Sequence, residues 1–250
     1  MSSSLLEFQW DLPPGVRAAF TTRQGGFSAA PWDSFNVATH VGDDLTNVAA
    51  NRARLAELVG HEVEPAWLTQ VHGVEVKEID ATPISTTLFT ADAAVTSRDN
   101  TACVVMVADC LPVLLCSRDG QRVAAAHAGW RGLVAGVLER TVAAMGTPAN
   151  EIRAWLGPAI SQKHFEVGNE VRDEFVKADR AANSRFQMNA RGRWQADLFG
   201  LARLRLASMG VTDVSGGDWC TYADRARFHS HRRDGKGGRM AAMIWRSPTS

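Results

Sequence analysis

"VADCLPVLLCSRDGQRVAAAHAGWRG", residues 107–132, decides how the chain is read. Two runs rich in Val, Leu and Ala flank "RDGQ", and Asp-Gly between apolar runs is a strong short-range signal for a β-hairpin. A two-residue loop at Arg118 and Asp119 sets Cys110 directly opposite His127, whereas a loop at Asp119 and Gly120 makes them diagonal neighbours. Side chains alternate faces with a period of two, so both registers put the thiol and the imidazole on one face within reach of each other. Pro112 cannot donate to a ladder and marks a bulge or an edge beside Cys110. Bulges are common next to active sites.

Outward from this hairpin, apolar periodicity predicts strands at about 16–22, 66–80, 92–97, 101–108, 112–117, 122–128, 152–157 and 239–246. Helical spacing fits about 46–59, 131–145, 168–180 and 196–209; "NVAANRARLAELVG" and "LVAGVLERTVAAMG" both end on a capping glycine. Many strands with interspersed helices and one clear hairpin point to an α+β fold with mixed sheets and away from a doubly wound nucleotide fold. A length of 250 residues, 45% of them hydrophobic, suits one large domain.

Lys plus Arg and Asp plus Glu each number 27, so no net field argues for nucleic acid or an anionic membrane as a partner. The start "MSSSLLEFQWDLPPG" lacks the basic region and long apolar core of a signal peptide, and no run approaches the roughly 18 apolar residues of a membrane span. The four cysteines, at 103, 110, 116 and 220, form no CxxC pair, which suits free thiols in a reducing, cytoplasmic compartment.

Three polar residues stand in apolar contexts that do not need them: His72 in "LTQVHGVEV", Cys110 in "VADCLPVLL" and His127 in "AAAHAGW". Each taken singly reads as a packed core residue. Taken together, two imidazoles and a thiolate suit zinc or copper, and three protein ligands leave one position for water, as in catalytic zinc sites. The competing chemistry is a nucleophilic pair in which His127 deprotonates Cys110, and spacing alone does not separate the two. Asp109 points to the opposite face on a regular strand; at a bulge it turns inward as an acceptor for a ligand histidine or as a general base. "HAGWRG" sets His127 before a glycine-flanked turn and a helix start, where free N–H groups and Arg131 can meet an anion. "FHSHRRDGKGGRMAAMIW" offers His229, His231, Arg232, Arg233 and Lys236 in a glycine-rich loop, an anion-contacting or merely solvated segment without the P-loop pattern. The paired glycines of "TTRQGGFS" let backbone approach a ligand or simply make a turn.

The succession "TTRQGGFS", "NVATHVGDD", "NRARL", "QVHG", "ADAAVTS", "ADCLPVLL", "HAGWRGL", "LGPAIS", "FEVGNEV", "CTYADRARFHSHRRDG" and "GRMAAMIW" resembles the YfiH-like family, also called the polyphenol oxidase or laccase-domain family. The resemblance runs over about residues 18–246, and its most specific part is "ADCLPVLL" with "HAGWRG". It implies a single catalytic domain of layered α/β/β/α type, similar to a cysteine-hydrolase-like toxin fold. The metal, zinc or else copper, would be held by His72, Cys110 and His127. The activity implied is a purine nucleoside phosphorylase acting on adenosine, inosine, guanosine and methylthioadenosine, with adenosine deaminase activity. The alternatives are an amidohydrolase that edits peptidoglycan precursors and a copper-dependent polyphenol oxidase. Four-electron oxidase chemistry calls for clustered His-x-His pairs and a His-Cys-His run, which this chain lacks. Phosphorolysis needs an anion site, for which Arg52, Arg131, Arg232 and Arg233 are the candidates, with Cys110, His127, His72 and Asp109 as the catalytic set. The expected partners are nucleosides and phosphate.

Overall fold

The computed structural model describes residues 3–80, 84 and 89–248. Its strands are β1 (Val16–Phe20), β2 (Glu64–Ala66), β3 (Leu68–Thr69), β4 (Val76–Glu78), β5 (Phe89–Thr90), β6 (Ala93–Thr96), β7 (Thr101–Val107), β8 (Leu111–Ser117), β9 (Val123–Ala128), β10 (Ile152–Leu156), β11 (Glu166–Val167), β12 (Phe186–Met188), β13 (Trp194–Ala196), β14 (Asp213–Gly216) and β15 (Met240–Arg246). Its α-helices are α1 (Leu45–Val59), α2 (Trp130–Ala135), α3 (Val137–Ala144), α4 (Asn169–Ala178), α5 (Leu198–Ser208) and α6 (His231–Asp234). One mixed sheet runs β1-β15-β7-β2 and another runs β14-β10-β8-β9-β6-β4.

Alternation along the central strands sorts the side chains into three apolar layers. Val113 and Leu115 of β8, with Ala124, Ala126 and Ala128 of β9, meet Leu133, Leu138, Phe175 and Leu201 from α2, α3, α4 and α5. Leu114 and Cys116, with Val123 and Ala125, face the other way, onto Cys103, Val105 and Val107 of β7 and Met240, Ala242 and Ile244 of β15. The remaining face of that second sheet, Val104, Met106, Ala241 and Met243, is covered by Leu55 of α1 and by Phe35 and Val37. The order is helices, sheet, sheet, helix, the α/β/β/α stack that the resemblance implies. Strands buried on both faces explain why β7, β8 and β9 read as nearly continuous apolar runs.

The hairpin pairs Leu111 with Ala128 and Pro112 with His127, which is the diagonal register for Cys110 and His127. Its connection is longer than the two residues expected: Ser117 and Arg122 close a four-residue loop, with Ser117 N donating to Arg122 O at 2.9 Å. Gly120 takes φ +71 there, and the Asp119 carboxylate accepts from Ser117 Oγ and the N–H of Gln121. Pro112 causes little loss, because its pairing side meets Gly157 just past the last residue of β10, where its carbonyl accepts from Gly157 N at 2.9 Å. Replacing Asp119 with Pro and Gly120 with Val together is expected to cost roughly 1–3 kcal/mol, since the pair loses a side-chain cap and strains a left-handed residue. A thermal or denaturant midpoint equal to that of the parent would refute this.

Two further expectations are corrected. The helix expected over 131–145 breaks at Gly136, whose φ of +100 caps α2 and restarts the chain as α3. The strand expected over 66–80 is three short pieces, because the chain turns at His72, which has φ +60.

Candidate metal centre

β7 ends in one sheet and β8 begins in the other, so residues 108–110 cross the rim of the inter-sheet layer. The crossing needs a sharp turn, and Asp109 supplies it with φ +88, an uncommon conformation for a residue bearing a Cβ. Its carboxylate holds the turn from outside: Oδ1 accepts from Thr221 Oγ1 at 2.6 Å, and Oδ2 accepts from Ser230 Oγ at 3.0 Å and Arg232 N at 2.7 Å. Cys110 follows, packed against the inter-sheet core, with its sulfur 3.8 Å from His72 Nε2. His127, near the end of β9, is buried on the same side, and its ring centroid lies 4.8 Å from that of His72. One ligand atom from each of His72, Cys110 and His127 lies within 4.8 Å of the others.

Asp92, which the sequence reading did not single out, assembles this trio. Fully buried, it accepts from His127 Nδ1 at 2.8 Å and from the backbone N–H groups of Val71, His72 and Gly73 at 3.2, 2.9 and 2.6 Å. The first bond leaves His127 Nε2 as the ligand nitrogen, and the others hold the left-handed turn that presents His72. The acceptor role considered for Asp109 therefore belongs to Asp92. A carboxylate opening the otherwise apolar strand "ADAAV" was the available signal, since a buried charge must be paired. Gly129 serves close approach: a Cβ there would lie 3.0 Å from Cys110 Sγ and 3.1 Å from His72 Cδ2.

Electrostatics single out one thiol. Burial opposes ionisation of Cys110, but the charge and hydrogen bonds of His127 and His72 outweigh it and lower its pKa to about 6. Burial likewise disfavours the His127 imidazolium, and the Cys110 thiolate and Asp92 carboxylate outweigh it and raise the pKa to about 9. Cys116, by contrast, is pushed up to about 12 by burial, and burial raises Cys103 as well. A thiolate flanked by two imidazoles, one anchored by a buried carboxylate, is a donor set that fits a borderline-soft divalent ion such as zinc.

Two cavities meet at the trio, and His72, Cys110, Arg131 and His231 line both. One is walled by Trp130, Ile160, Phe165 and Leu198, with Arg232 and Asp109 also lining it. The other adds His40, Met106, His127 and Arg239. His40 and Arg239 were not foreseen; before the fold is known, an arginine between a glycine-rich loop and a strand looks like any solvated cation.

The arginines expected at an anion site separate. Arg131 stacks on Trp130 at 4.5 Å and faces both cavities. Arg232 reaches the carbonyl of Glu166 at 2.8 Å from the rim of the first. Arg52 donates to Val37 O and lies 3.9 Å over Trp67, where burial lowers its pKa to about 10; its charge reaches His40. Arg233 turns away from both cavities and binds the carbonyls of Thr221, Tyr222 and Phe228 and the Asp234 carboxylate, pinning the loop that holds Asp109. The single His-x-His pair also splits: His231 lines the cavities, whereas His229 is buried with its Nε2 unpaired and its pKa lowered to about 3 by burial and the Arg23 and Arg239 charges. Lys236 lies over Trp32 at 4.9 Å. Among the described residues, no helix is long and apolar enough to cross a membrane.

The family described as multi-copper polyphenol oxidoreductase laccase matches residues 17–247. A purine nucleoside phosphorylase of Pseudomonas aeruginosa is 52% identical over 94% of this chain and 96% of its own. The purine nucleoside phosphorylase YfiH of Escherichia coli is 47% identical over 97% and 99%. A Neisseria meningitidis protein of known crystal structure superposes with a TM-score of 0.94 at 45% identity, over 98% of this chain and all of that one. YlmD of Geobacillus stearothermophilus superposes with a TM-score of 0.89 at 29% identity, over 99% and 98%. With the same layered fold, and with sequence likeness across nearly its whole length, the chain belongs to the YfiH-like, laccase-domain family.

Proposed function

We propose that the protein is a zinc-dependent purine nucleoside phosphorylase, acting on adenosine, inosine, guanosine and methylthioadenosine, that also deaminates adenosine. The observation that carries this reading is the His72–Cys110–His127 trio at the junction of two cavities, in a chain whose relatives are named purine nucleoside phosphorylases. A zinc ion held by these three side chains supplies, when bound, Lewis-acid activation of a water for attack at C6 of adenine, lowering its pKa toward about 7. Asp92 fixes the tautomer of His127 and the turn of His72, so the ligands are preorganised. Asp109 acts as a positioning residue, because both its oxygens already accept hydrogen bonds and the turn they hold presents Cys110. His231, which lines both cavities and whose ring has no hydrogen-bond partner among the described residues, would carry a proton at their shared wall.

Incubating metal-replete protein with adenosine and phosphate is expected to yield adenine, ribose 1-phosphate and inosine; no product from any of the four nucleosides would sink the proposal. The thiolate–imidazolium pairing of Cys110 with His127 favours a second reading, an amidohydrolase acting on peptidoglycan precursors. Cleavage of muropeptides without turnover of nucleosides would select it. Copper-dependent oxidation of phenols has less support, since the described residues gather one metal-ligand cluster and a laccase needs several copper ions.

A further inference from the structure

We propose that the attacking phosphate binds in the cavity walled by Arg239, Arg131 and His40, which adjoins, at the ligand trio, the more apolar cavity that takes the purine. This rests on the phosphorylase reading above. The two cavities divide by chemistry. Both cavities carry two guanidiniums, Arg131 being common to them; the first adds Arg232, the Asp109 carboxylate and the faces of Trp130 and Phe165 on which a purine can stack, whereas the second adds Arg239, His40 and His127 and has no carboxylate among its lining residues. That imbalance is local, because the whole chain carries as many acidic as basic residues, 27 of each.

The individual cations are arranged for an external anion. Arg239 Nη1 donates to the carbonyls of Gly237 and Gly238, both at 3.0 Å, which fixes the direction of the guanidinium. Its Nε and Nη2 find no protein acceptor among the described residues, and no carboxylate pairs with it. Among the described residues Arg131 has only its stack on Trp130, and the His40 ring has no hydrogen-bond partner. A planar fork of donors beside a second guanidinium matches a tetrahedral oxyanion. Partial burial lowers the pKa of Arg239, with the Cys110 and Asp109 charges opposing, so the guanidinium sits where a counter-charge is strongly felt.

The placement also suits the displacement. Substitution at the anomeric carbon brings the nucleophile in opposite the leaving base, and a nucleoside with its purine against Trp130 and Phe165 presents that carbon at the wall both cavities share. An oxygen of HPO4²⁻ forms the bond to C1′ while the C1′–N9 bond breaks. The electron pair goes to the purine, and the phosphate proton ends on a purine nitrogen, giving ribose 1-phosphate and the free base.

The test is titration calorimetry of inorganic phosphate into zinc-loaded protein, with steady-state phosphorolysis beside it, for the parent, Arg239→Gln, Arg239→Lys and Arg131→Gln. Arg239→Gln is expected to weaken phosphate binding and raise the phosphate KM by roughly 10-fold or more, the scale of a lost charge-assisted pair. The nucleoside KM should move by less than about 3-fold, because the base is held elsewhere. Arg239→Lys keeps the charge without the fork and should fall between. Arg131→Gln, at an exposed position, should shift the same two quantities in the same direction and serves if Arg239→Gln does not fold. Unchanged phosphate binding and phosphate KM in the folded variants overturn the site while leaving the phosphorylase reading intact. Arg239-dependent phosphate binding with no ribose 1-phosphate from the parent overturns that reading and leaves an anion site.

Discussion

Substituting alanine for any one of His72, Cys110 and His127 is expected to remove the bound metal and to abolish activity to about the same extent in each case. Three protein ligands are few, so losing one leaves a two-coordinate remnant that does not compete with water for zinc. The three losses do not add, because they disable one unit, and a double variant should be no worse than a single one. Folding should survive: Cys110 is a small side chain at the edge of the inter-sheet core, and its truncation costs roughly 1 kcal/mol. A nucleophilic Cys-His pair predicts a different pattern, with Cys110 and His127 essential and His72 dispensable. Metal content by mass spectrometry and activity on the same samples separate the two. A Cys110→Ala protein that still holds metal and turns over substrate would overturn the metal reading.

Asp92→Asn is expected to cost roughly 10- to 100-fold in metal affinity without touching a ligand. The carboxylate accepts from one ring nitrogen and three backbone N–H groups, and an amide oxygen cannot replace both carboxylate oxygens in that set. At least one buried donor is left unpaired, which costs about 1–3 kcal/mol, and the left-handed turn at His72 loses its anchor. The same residue makes stability depend on acid. Burial opposes its ionisation, but the hydrogen bonds and charge of His127 and the backbone donors outweigh it, so its pKa is lowered. A depressed carboxylate contributes stability that is fully present above its unfolded pKa, about 3.9, and is lost as pH falls through the folded value. Asp92→Asn should therefore flatten that acid limb. Chemical denaturation between about pH 3 and 7 is the check, and a variant with the parent's acid profile and metal affinity would remove Asp92 from the account.

Much of the fold was legible in the chain because its strongest signals are local. The apolar runs expected at about 101–108, 112–117 and 122–128 and the helical spacing at about 46–59 and 196–209 fall within two residues of the strands β7, β8 and β9 and the helices α1 and α5. The period-two alternation put Cys110 and His127 on one face, and the chemistry of two imidazoles and a thiol marked out His72 as their companion. What escaped was short or polar: β11 to β14 are two to four residues long, too brief for periodicity to register, and α6 is a single turn. The helix at 131–145 read as continuous because a glycine inside a helical pattern does not announce its φ. Residue types and spacing thus determined an α+β fold with mixed sheets and the candidate trio, while the α/β/β/α layering was what the family resemblance implied. Only the tertiary structure decided which groups surround that trio, since Asp92, His40 and Arg239 come from segments far apart in sequence. Asp109 is spent on Thr221, Ser230 and the Arg232 backbone, and Arg233 on loop carbonyls, for the same reason: a side chain's role follows from the partner it meets, and that partner is fixed by how the sheets and loops close on each other.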